Sequence, residues 1–267
     1  MTAILAIDLL SYIIVLADCR VTWLSNPKRF QDNLQKMYPF GPTGVIGFAG
    51  QIKAARGILN YIKKEAPKMS LPHTAKHIVQ DISVWAKEAY SKLPSWDQKY
   101  IELMYVASDY GRITLRTNNV TFAENILVQF KSPKFDPVFH KDYLRLGYAI
   151  EYPEDILIEN RNSFLRGAVD PERDSFQAIV AVDSFGDYLS TIGDNQVGGL
   201  FAVGIINIRG VRWYPYRYLR SDVELRIENN QFVQYDHSDG RKVPLKYIWE
   251  FNPNRPDFGN LMFRMKS

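Results

Sequence analysis

An apolar run near the N-terminus places the tightest constraint on the fold of this chain. Residues 3–17 are almost all apolar, and Asp8 is the one charged residue among them. The run is too short to span a bilayer, and no basic residue precedes it as in a signal peptide. We therefore predict two strands, at residues 2–7 and 12–17, joined by a short turn. Because polar residues do not alternate with the apolar ones, both faces of these strands should be buried in a central sheet.

The remaining patterns predict further strands, two long helices and a third helix. In chain order these are strands at 34–38 and 44–48, a helix from 50 to 66, a helix at 73–93, strands at 102–107 and 111–117 around a turn at 108–110, a helix at 154–166, and a hairpin at 177–192 that turns at Phe185-Gly186. Residues 118–143 are interrupted by prolines and receive no assignment. This order of elements is typical of an α+β chain.

Composition and charge exclude several classes of protein. Hydrophobic residues make up 46% and charged residues 23% of the chain, which excludes an intrinsically disordered protein. The formal net charge of +4 is too small to indicate nucleic-acid binding by itself. Cys19 is the only cysteine, so no internal disulfide can form. This cysteine usage favours a reducing compartment, and we expect a cytoplasmic protein without a membrane span.

The second residue carries a chemical possibility of its own. A threonine hydroxyl is a weak nucleophile until a base removes its proton. The α-amine of an N-terminal threonine can be that base, because it titrates near pH ~8. An initiator methionine is normally removed when a small residue follows it, and Thr2 is such a residue after Met1. Many chains begin with Met-Thr, so this feature alone does not establish a nucleophile.

The residues that follow resemble a known family. The stretch Asp18-Cys19-Arg20-Val21-Thr22 begins 16 residues after Thr2. It resembles the Asp-Ser-Arg-x-Thr motif of proteasome β-subunits and of the bacterial heat-shock-locus protease. Lys36 resembles the family lysine, and the Gly-Phe-Ala-Gly sequence at 47–50 resembles its glycine-rich turn. Both lie two residues later than in the family, which one insertion between Trp23 and Gln35 explains.

This resemblance implies a role for each matching residue. Thr2 would be the nucleophile, and Lys36 would lower the pKa of its hydroxyl. Asp18 would pair with Lys36, and the Arg20 guanidinium would support the same network. The backbone N–H of Gly50, at the start of a helix, would stabilise the oxyanion of the tetrahedral intermediate.

The resemblance weakens farther along the chain. Residues 146–149 read Leu-Gly-Tyr-Ala where the family has a Gly-Ser-Gly turn, so Tyr148 replaces the expected serine. Asp170 matches a later aspartate of the family site, but Arg173 stands where its partner serine is expected. Two hypotheses follow: a divergent active hydrolase, or a catalytically silent subunit that serves as an assembly or binding module. The retention of the residues Thr2, Asp18, Arg20 and Lys36 favours the active hydrolase.

The family also implies an architecture and partners. The expected fold is the four-layer αββα sandwich of N-terminal nucleophile hydrolases at residues 1–192, followed by a C-terminal extension at 193–267. The expected activity is cleavage of amide bonds in a peptide or protein substrate, without a cofactor. Homo-oligomers, including rings, are the family's habit, and whether an unfolding ATPase works with the protein stays open.

Two other patterns suggest different functions. His73 and His77 are one helical turn apart, but Thr74 stands where a zincin has glutamate and no third ligand is evident, so we predict no metal site. Residues 209–220 interleave four arginines with Trp213 and three tyrosines. That mixture suits single-stranded nucleic acid or a protein interface. The family's ring assembly favours an oligomer or partner surface, and nucleic-acid binding is not expected.

Overall fold

A computed structural model describes residues 2–23, 26–32, 34–41, 43–66, 74–114, 119–167, 180, 183–187, 201–214, 216–217 and 223–247. The α-helices within these ranges are α1 (Ile52–Glu65), α2 (Ala75–Ser91) and α3 (Glu154–Gly167). The strands are β1 (Ala3–Asp8), β2 (Ile13–Asp18), β3 (Arg20–Trp23), β4 (Asn26–Asp32), β5 (Met37–Pro39), β6 (Gly44–Gly50), β7 (Ile101–Thr114), β8 (Asn119–Lys131), β9 (Val138–His140), β10 (Tyr143–Gly147), β11 (Phe201–Asn207), β12 (Gly210–Tyr214), β13 (Tyr216–Arg217), β14 (Val223–Glu228), β15 (Gln231–Asp236) and β16 (Lys242–Pro244).

The apolar run forms the centre of one five-stranded antiparallel sheet, in the order β10-β1-β2-β11-β12. Both predicted strands are confirmed, and every residue of β1 and β2 is buried. Asp8 explains the turn between them, because its Oδ1 accepts a hydrogen bond from the backbone N–H of Leu10 at 2.7 Å. The polar residue in the run therefore forms the turn that lets the two strands pair.

A second five-stranded antiparallel sheet has the order β5-β6-β7-β8-β9. The helices α1 and α2 confirm the two long predicted helices, and α3 confirms the third. The predicted turn at 108–110 is wrong: β7 continues through it, since Ser108 pairs with Asn125 and Asp109 with Glu124 on β8. Long antiparallel pairing thus overrides the local turn propensity of this polar stretch.

Two hydrophobic clusters account for the burial of β1 and β2 on both faces. Ile4 and Val15 belong to a cluster that joins the first sheet to the second sheet and to α1 and α2. Leu5 and Ile14 face the opposite way, into a second cluster that includes Leu157 of α3 and Phe185. The side chains alternate between two apolar environments, so the run needs no polar face.

The predicted four-layer αββα sandwich with a C-terminal extension is wrong. Antiparallel strands dominate the described residues, and two further sheets, β3-β4 and β13-β14-β15-β16, lie beside the five-stranded pair. The helices described after β10 are α3 and the short helical run at residues 183–187, and together with these sheets they do not form a clear four-layer arrangement. The chain is better described as a sheet-rich α+β structure.

The predicted hairpin at 177–192 fails as well where it can be compared. Residues 183–187 are helical, so the predicted turn at Phe185-Gly186 is wrong, and Phe185 is buried against Tyr152 and Phe201. Residues 177–179 and 188–192 lie outside the described residues. The predicted strand at 34–38 is confirmed only in part, as β5.

The C-terminal strands complete the core. β11 pairs with β2 along its length, and β12 forms the edge of the first sheet. Trp213 of β12 is buried and packs edge-on against Phe232 of β15, with ring centroids 6.1 Å apart. The division at residue 192 falls within 188–200, outside the described residues, and stays a prediction. Among the described helices, none has the length and apolar character needed to cross a membrane.

Replacement of a core residue of α2 tests this packing. Ile82 is fully buried, whereas Val84 on the same helix is 59% exposed. We expect Ile82→Ala to lower the free energy of unfolding by about 2–5 kcal/mol, because it leaves a cavity beneath the second sheet. Urea denaturation followed by circular dichroism measures this change. Val84→Ala is the matched control and should shift the free energy by less than ~1 kcal/mol; equal losses would contradict the packing.

Candidate functional site

The predicted partners Asp18 and Lys36 form a buried ion pair. The Lys36 ammonium lies 2.9 Å from both Asp18 carboxylate oxygens and also donates to the carbonyl of Arg20 at 2.6 Å. The Asp18 side chain is 0% exposed and the Lys36 side chain is 1% exposed. Such a pair is costly to bury, so its geometry must be well satisfied by neighbouring groups.

The backbone supplies those neighbouring groups and brings the pair to Thr2. Asp18 Oδ1 accepts the N–H of Ala3 at 2.7 Å, which ties the end of β2 to the residue that follows Thr2. Thr2 itself is buried, with 4% of its surface exposed. The predicted nucleophile Thr2 is therefore the chain neighbour of a residue that is hydrogen-bonded to the ion pair.

Two backbone hydrogen bonds position the segment that carries Lys36. The N–H of Leu34 donates to the carbonyl of Cys19, and the N–H of Phe48 donates to the carbonyl of Lys36. The first bond fixes the segment to the β2–β3 junction, and the second fixes it to β6. The lysine is thus inserted between the strand that ends in Asp18 and the strand that ends in Gly50.

Burial and charge act in opposite directions on Asp18. Burial raises the pKa of its carboxyl above the ordinary value, while the Lys36 ammonium and the Ala3 N–H oppose that rise by stabilising the carboxylate. The close contacts of the pair are those of an ammonium with an ionised carboxylate.

Arg20 enters the network in a way that the sequence does not reveal. Its backbone N–H donates to Asp18 Oδ2 at 3.2 Å, and its carbonyl accepts from Lys36. The described contacts between Arg20 and the pair thus run through the main chain. The predicted support by the guanidinium stays a prediction.

Gly50 stands at the end of β6, directly before the N-cap residue Gln51 of α1. Its φ of +115° is one that L side chains rarely adopt, and a Cβ here would lie 2.5 Å from the carbonyl oxygen of Tyr100. Glycine is therefore required for conformation and for space. The predicted oxyanion donor has the local geometry of a strand-to-helix turn.

Gly147 is a second glycine that the site requires. It has a φ of +58°, and a Cβ would lie 2.1 Å from the carbonyl oxygen of Thr2 and 3.4 Å from the Cβ of Ala49. Gly147 therefore lies between Thr2 and the end of β6. It joins the two sides of the candidate site.

Sequence reasoning missed Glu102. This residue of β7 is 2% exposed, and its Oε2 accepts the N–H of Gly147 at 3.1 Å. The available signal was a single charge inside the apolar stretch 101–107, since charged residues are seldom buried without partners. Periodicity could not identify the partner, which lies 45 residues later in the chain.

The remaining predicted residues contribute less. Asp170 and His73 lie outside the described residues, and so does the side chain of Tyr148. His77 is exposed, and its Nδ1 lies 3.0 Å from Thr74 Oγ1. In the part of the chain that the structure describes, no group of three or more His, Cys, Asp or Glu residues could hold a metal ion. Within 209–220, Trp213 is a core residue rather than a surface platform.

A single methyl group tests the close approach at Gly147. Gly147→Ala should lower the free energy of unfolding by about 1–3 kcal/mol or more, because the new Cβ collides with the Thr2 carbonyl in addition to straining the backbone. Gly240 is a matched control, since its φ is +70° but a Cβ there meets nothing within 4 Å. Urea denaturation of both variants measures the difference. A loss at Gly147 no greater than at Gly240 would contradict the contact.

Comparisons with known proteins give structural matches alone. No protein-family model matches the chain, and no curated protein matches it. The solved structures that match include three Anbu structures. Anbu (ancestral beta-subunit) from Yersinia bercovieri has 15% identity and a TM-score of 0.54 over 78% of this chain and 82% of its own. The helical assembly of the Anbu complex from Pseudomonas aeruginosa has 12% identity and a TM-score of 0.57 over 79% and 85%. A Gly-1 mutant of Anbu from Hyphomicrobium sp. strain MC1 has 15% identity and a TM-score of 0.51 over 80% and 87%.

These likenesses correct the resemblance drawn from the sequence motifs. These three structures are Anbu proteins, whereas the Asp18 motif had been compared with proteasome β-subunits and the heat-shock-locus protease. At 12–15% identity they show a likeness of fold and say nothing about the chemistry of the residues. The chain shares its fold with these Anbu proteins over 78–80% of its length.

Proposed function

We propose that this protein is an N-terminal threonine hydrolase that cleaves amide bonds in peptides or proteins. The observation that carries the proposal is the buried Lys36–Asp18 pair, hydrogen-bonded to the residue next to Thr2. A buried ion pair is a poor source of stability. Its position beside a potential nucleophile therefore favours a chemical role.

Removal of Met1 creates the reactive group. With Met1 in place the nitrogen of Thr2 is an amide and cannot accept a proton. Once Met1 is removed, the nitrogen becomes an α-amine with a pKa near ~8, suited to act as the general base. The positive charge of Lys36 favours the deprotonated form of the Thr2 hydroxyl. Asp18 holds that charge in place.

The reaction then proceeds through an acyl-enzyme. The Thr2 Oγ forms a bond to the carbonyl carbon of the substrate amide as its proton passes to the α-amine. The C–N bond of the tetrahedral intermediate breaks, and the leaving amine takes the proton. Water next attacks the Thr2 ester, its proton is removed by the α-amine, and the carboxylic acid product leaves as the Thr2 hydroxyl is restored.

Gly50 supports the proposal as the donor to the developing oxyanion. It lies where β6 gives way to α1, and helix N-termini favour negative charge. Backbone donors fixed before the reaction stabilise the tetrahedral intermediate without reorganisation. Asp170 is retained in the proposal as a further site residue from the family motif.

A homo-oligomer is part of the same proposal. One structurally similar protein is described as a helical assembly of the Anbu complex. By that likeness we infer that copies of this chain associate with one another, as rings or as open assemblies. We place the activity in the cytoplasm, where the buried thiol of Cys19 would remain reduced.

Covalent labelling tests the nucleophile. The purified protein should show loss of Met1 by intact-mass analysis and should bind one equivalent of a peptide epoxyketone, a reagent that requires an N-terminal hydroxyl and amine. Thr2→Ala should abolish labelling, and Lys36→Ala should slow it by roughly a hundredfold or more, since it removes a charged group beside the nucleophile. Mass spectrometry of the intact protein measures both.

Matched controls separate this result from general damage. Thr74→Ala and Lys76→Ala alter exposed residues of the same types, and both should label like the wild type. Labelling that persists in Thr2→Ala would sink the mechanism. A protein that loses Met1, folds and yet never labels would instead favour the catalytically silent assembly or binding module.

The oligomeric state has its own measurement. Size-exclusion chromatography with light scattering should give a mass at least twice the 30.9 kDa of one chain at micromolar concentration. Dilution should reduce that mass if the association is reversible. A single species of one chain at every concentration would remove the homo-oligomer from the proposal.

A further inference from the structure

Glu102 is a second buried carboxylate of this region, hydrogen-bonded to the Gly147 that lies against Thr2, and the mechanism above does not use it. It lies on β7 directly opposite Ala49, the residue before Gly50. Its side chain is 2% exposed and sits 3.5 Å from the ammonium of Lys131, whose own side chain is 47% exposed. A carboxylate in such a place is costly unless donors surround it.

Donors do surround it, and they belong to three separate parts of the chain. Oε1 accepts the hydroxyl of Tyr100 at 2.6 Å and the Gln129 amide at 3.3 Å. Oε2 accepts the N–H of Gly147 at 3.1 Å. Burial and the hydrogen bond to Glu102 together raise the pKa of Tyr100 to about 12, so this phenol remains a donor through the physiological range. Two side chains thus hold Oε1 of the carboxylate, and Oε2 accepts the Gly147 N–H.

Gly147 passes that constraint to the nucleophile. Its backbone is paired with Ala3 in the β1–β10 ladder, and its Cα hydrogen faces the carbonyl of Thr2 too closely for any side chain. Gly147 also lies close to Ala49, because a Cβ added at Gly147 would meet the Ala49 Cβ at 3.4 Å. A shift of Gly147 would therefore move both Thr2 and the strand end that leads to Gly50.

We propose that Glu102 is a positioning residue of the Thr2 site. Its carboxylate anchors the Gly147 N–H, and Gly147 in turn fixes the backbone of Thr2 relative to the end of β6. Because an attacking atom must be held in a narrow range of positions, loss of this anchor slows bond formation more than it weakens substrate binding. This inference rests on the proposed function, since it assigns Glu102 to the orientation of the same nucleophile.

Two substitutions separate the anchor from simple packing. Glu102→Leu fills a similar space but offers no acceptor. Glu102→Gln keeps one oxygen, and we expect that oxygen to face Gly147. The Tyr100 hydroxyl can turn and the Gln129 amide can rotate so that both accept from the new amide, whereas the Gly147 N–H can only donate. Glu124→Gln, on β8 with its side chain 39% exposed, is the surface control.

The readout is the inactivation of the processed protein by a peptide epoxyketone, resolved into the maximal rate, kinact, and the half-saturating concentration, KI. Glu102→Leu should lower kinact by roughly tenfold or more while KI stays unchanged, since the Gly147 N–H loses its charged acceptor. Glu102→Gln should remain within about threefold of the wild type, because it keeps the acceptor. The control should match the wild type. A merely structural role would raise KI or reduce the labelled fraction instead.

Three outcomes would overturn the inference. Glu102→Leu that labels with the kinact of the wild type would remove Glu102 from the site while leaving the proposed function intact. Equal losses in the Leu and Gln variants would show that the acceptor is not what matters. A wild-type protein that never labels at Thr2 would defeat the proposed function and this inference together.

Hydrogen exchange keeps the inference testable if Glu102→Leu does not fold. In the wild type and in Glu102→Gln, the Gly147 amide should exchange at least about tenfold more slowly than a free amide, because it donates to a buried acceptor. Exchange of this amide at the free rate in the folded wild type would overturn the anchor.

Discussion

The ion pair between Lys36 and Asp18 fixes how the chain segments around Thr2 meet. Two charges taken out of water cost several kcal/mol unless each finds its partner and further hydrogen bonds. The pair meets that demand with the N–H groups of Ala3 and Arg20 and with the Arg20 carbonyl. These contacts tie β1, β2, β3 and the segment before β5 to one point. Thr2 lies at that point because it directly precedes the Ala3 N–H.

A second polar centre lies on the other side of Thr2. Glu102 enters from the second sheet and meets Gly147 of the first sheet, so the two sheets are joined there by a hydrogen bond as well as by apolar packing. Both glycines of the site, Gly50 and Gly147, have backbone angles and close contacts that exclude a side chain. The candidate site thus combines two buried carboxylates with two backbone positions that only glycine fits.

Local patterns predicted the parts of the molecule that depend on near neighbours. The apolar run predicted β1 and β2, and helical spacing predicted α1, α2 and α3. The pairing of Asp18 with Lys36 was instead implied by the family resemblance. Long-range contacts explain what the sequence could not reveal. β7 continues through the polar residues 108–110 because β8 pairs beside it. The hydrogen-bond partner of Glu102 is Gly147, which lies on the other five-stranded sheet. The strands β11 and β12 complete the first sheet through pairing with β2, which no local pattern indicated.

The central claim is that Thr2, served by Lys36 and Asp18, carries the acyl group. The most direct measurement is peptide mapping by mass spectrometry after inactivation of the wild-type protein with a β-lactone. Cleavage after Arg20 releases one peptide that holds both Thr2 and the thiol of Cys19, so fragmentation can distinguish the two acceptors. The account predicts a peptide that begins at Thr2 and carries the acyl group on that residue. An acyl group on Cys19, or an acylated protein whose N-terminal peptide still begins at Met1, would contradict it.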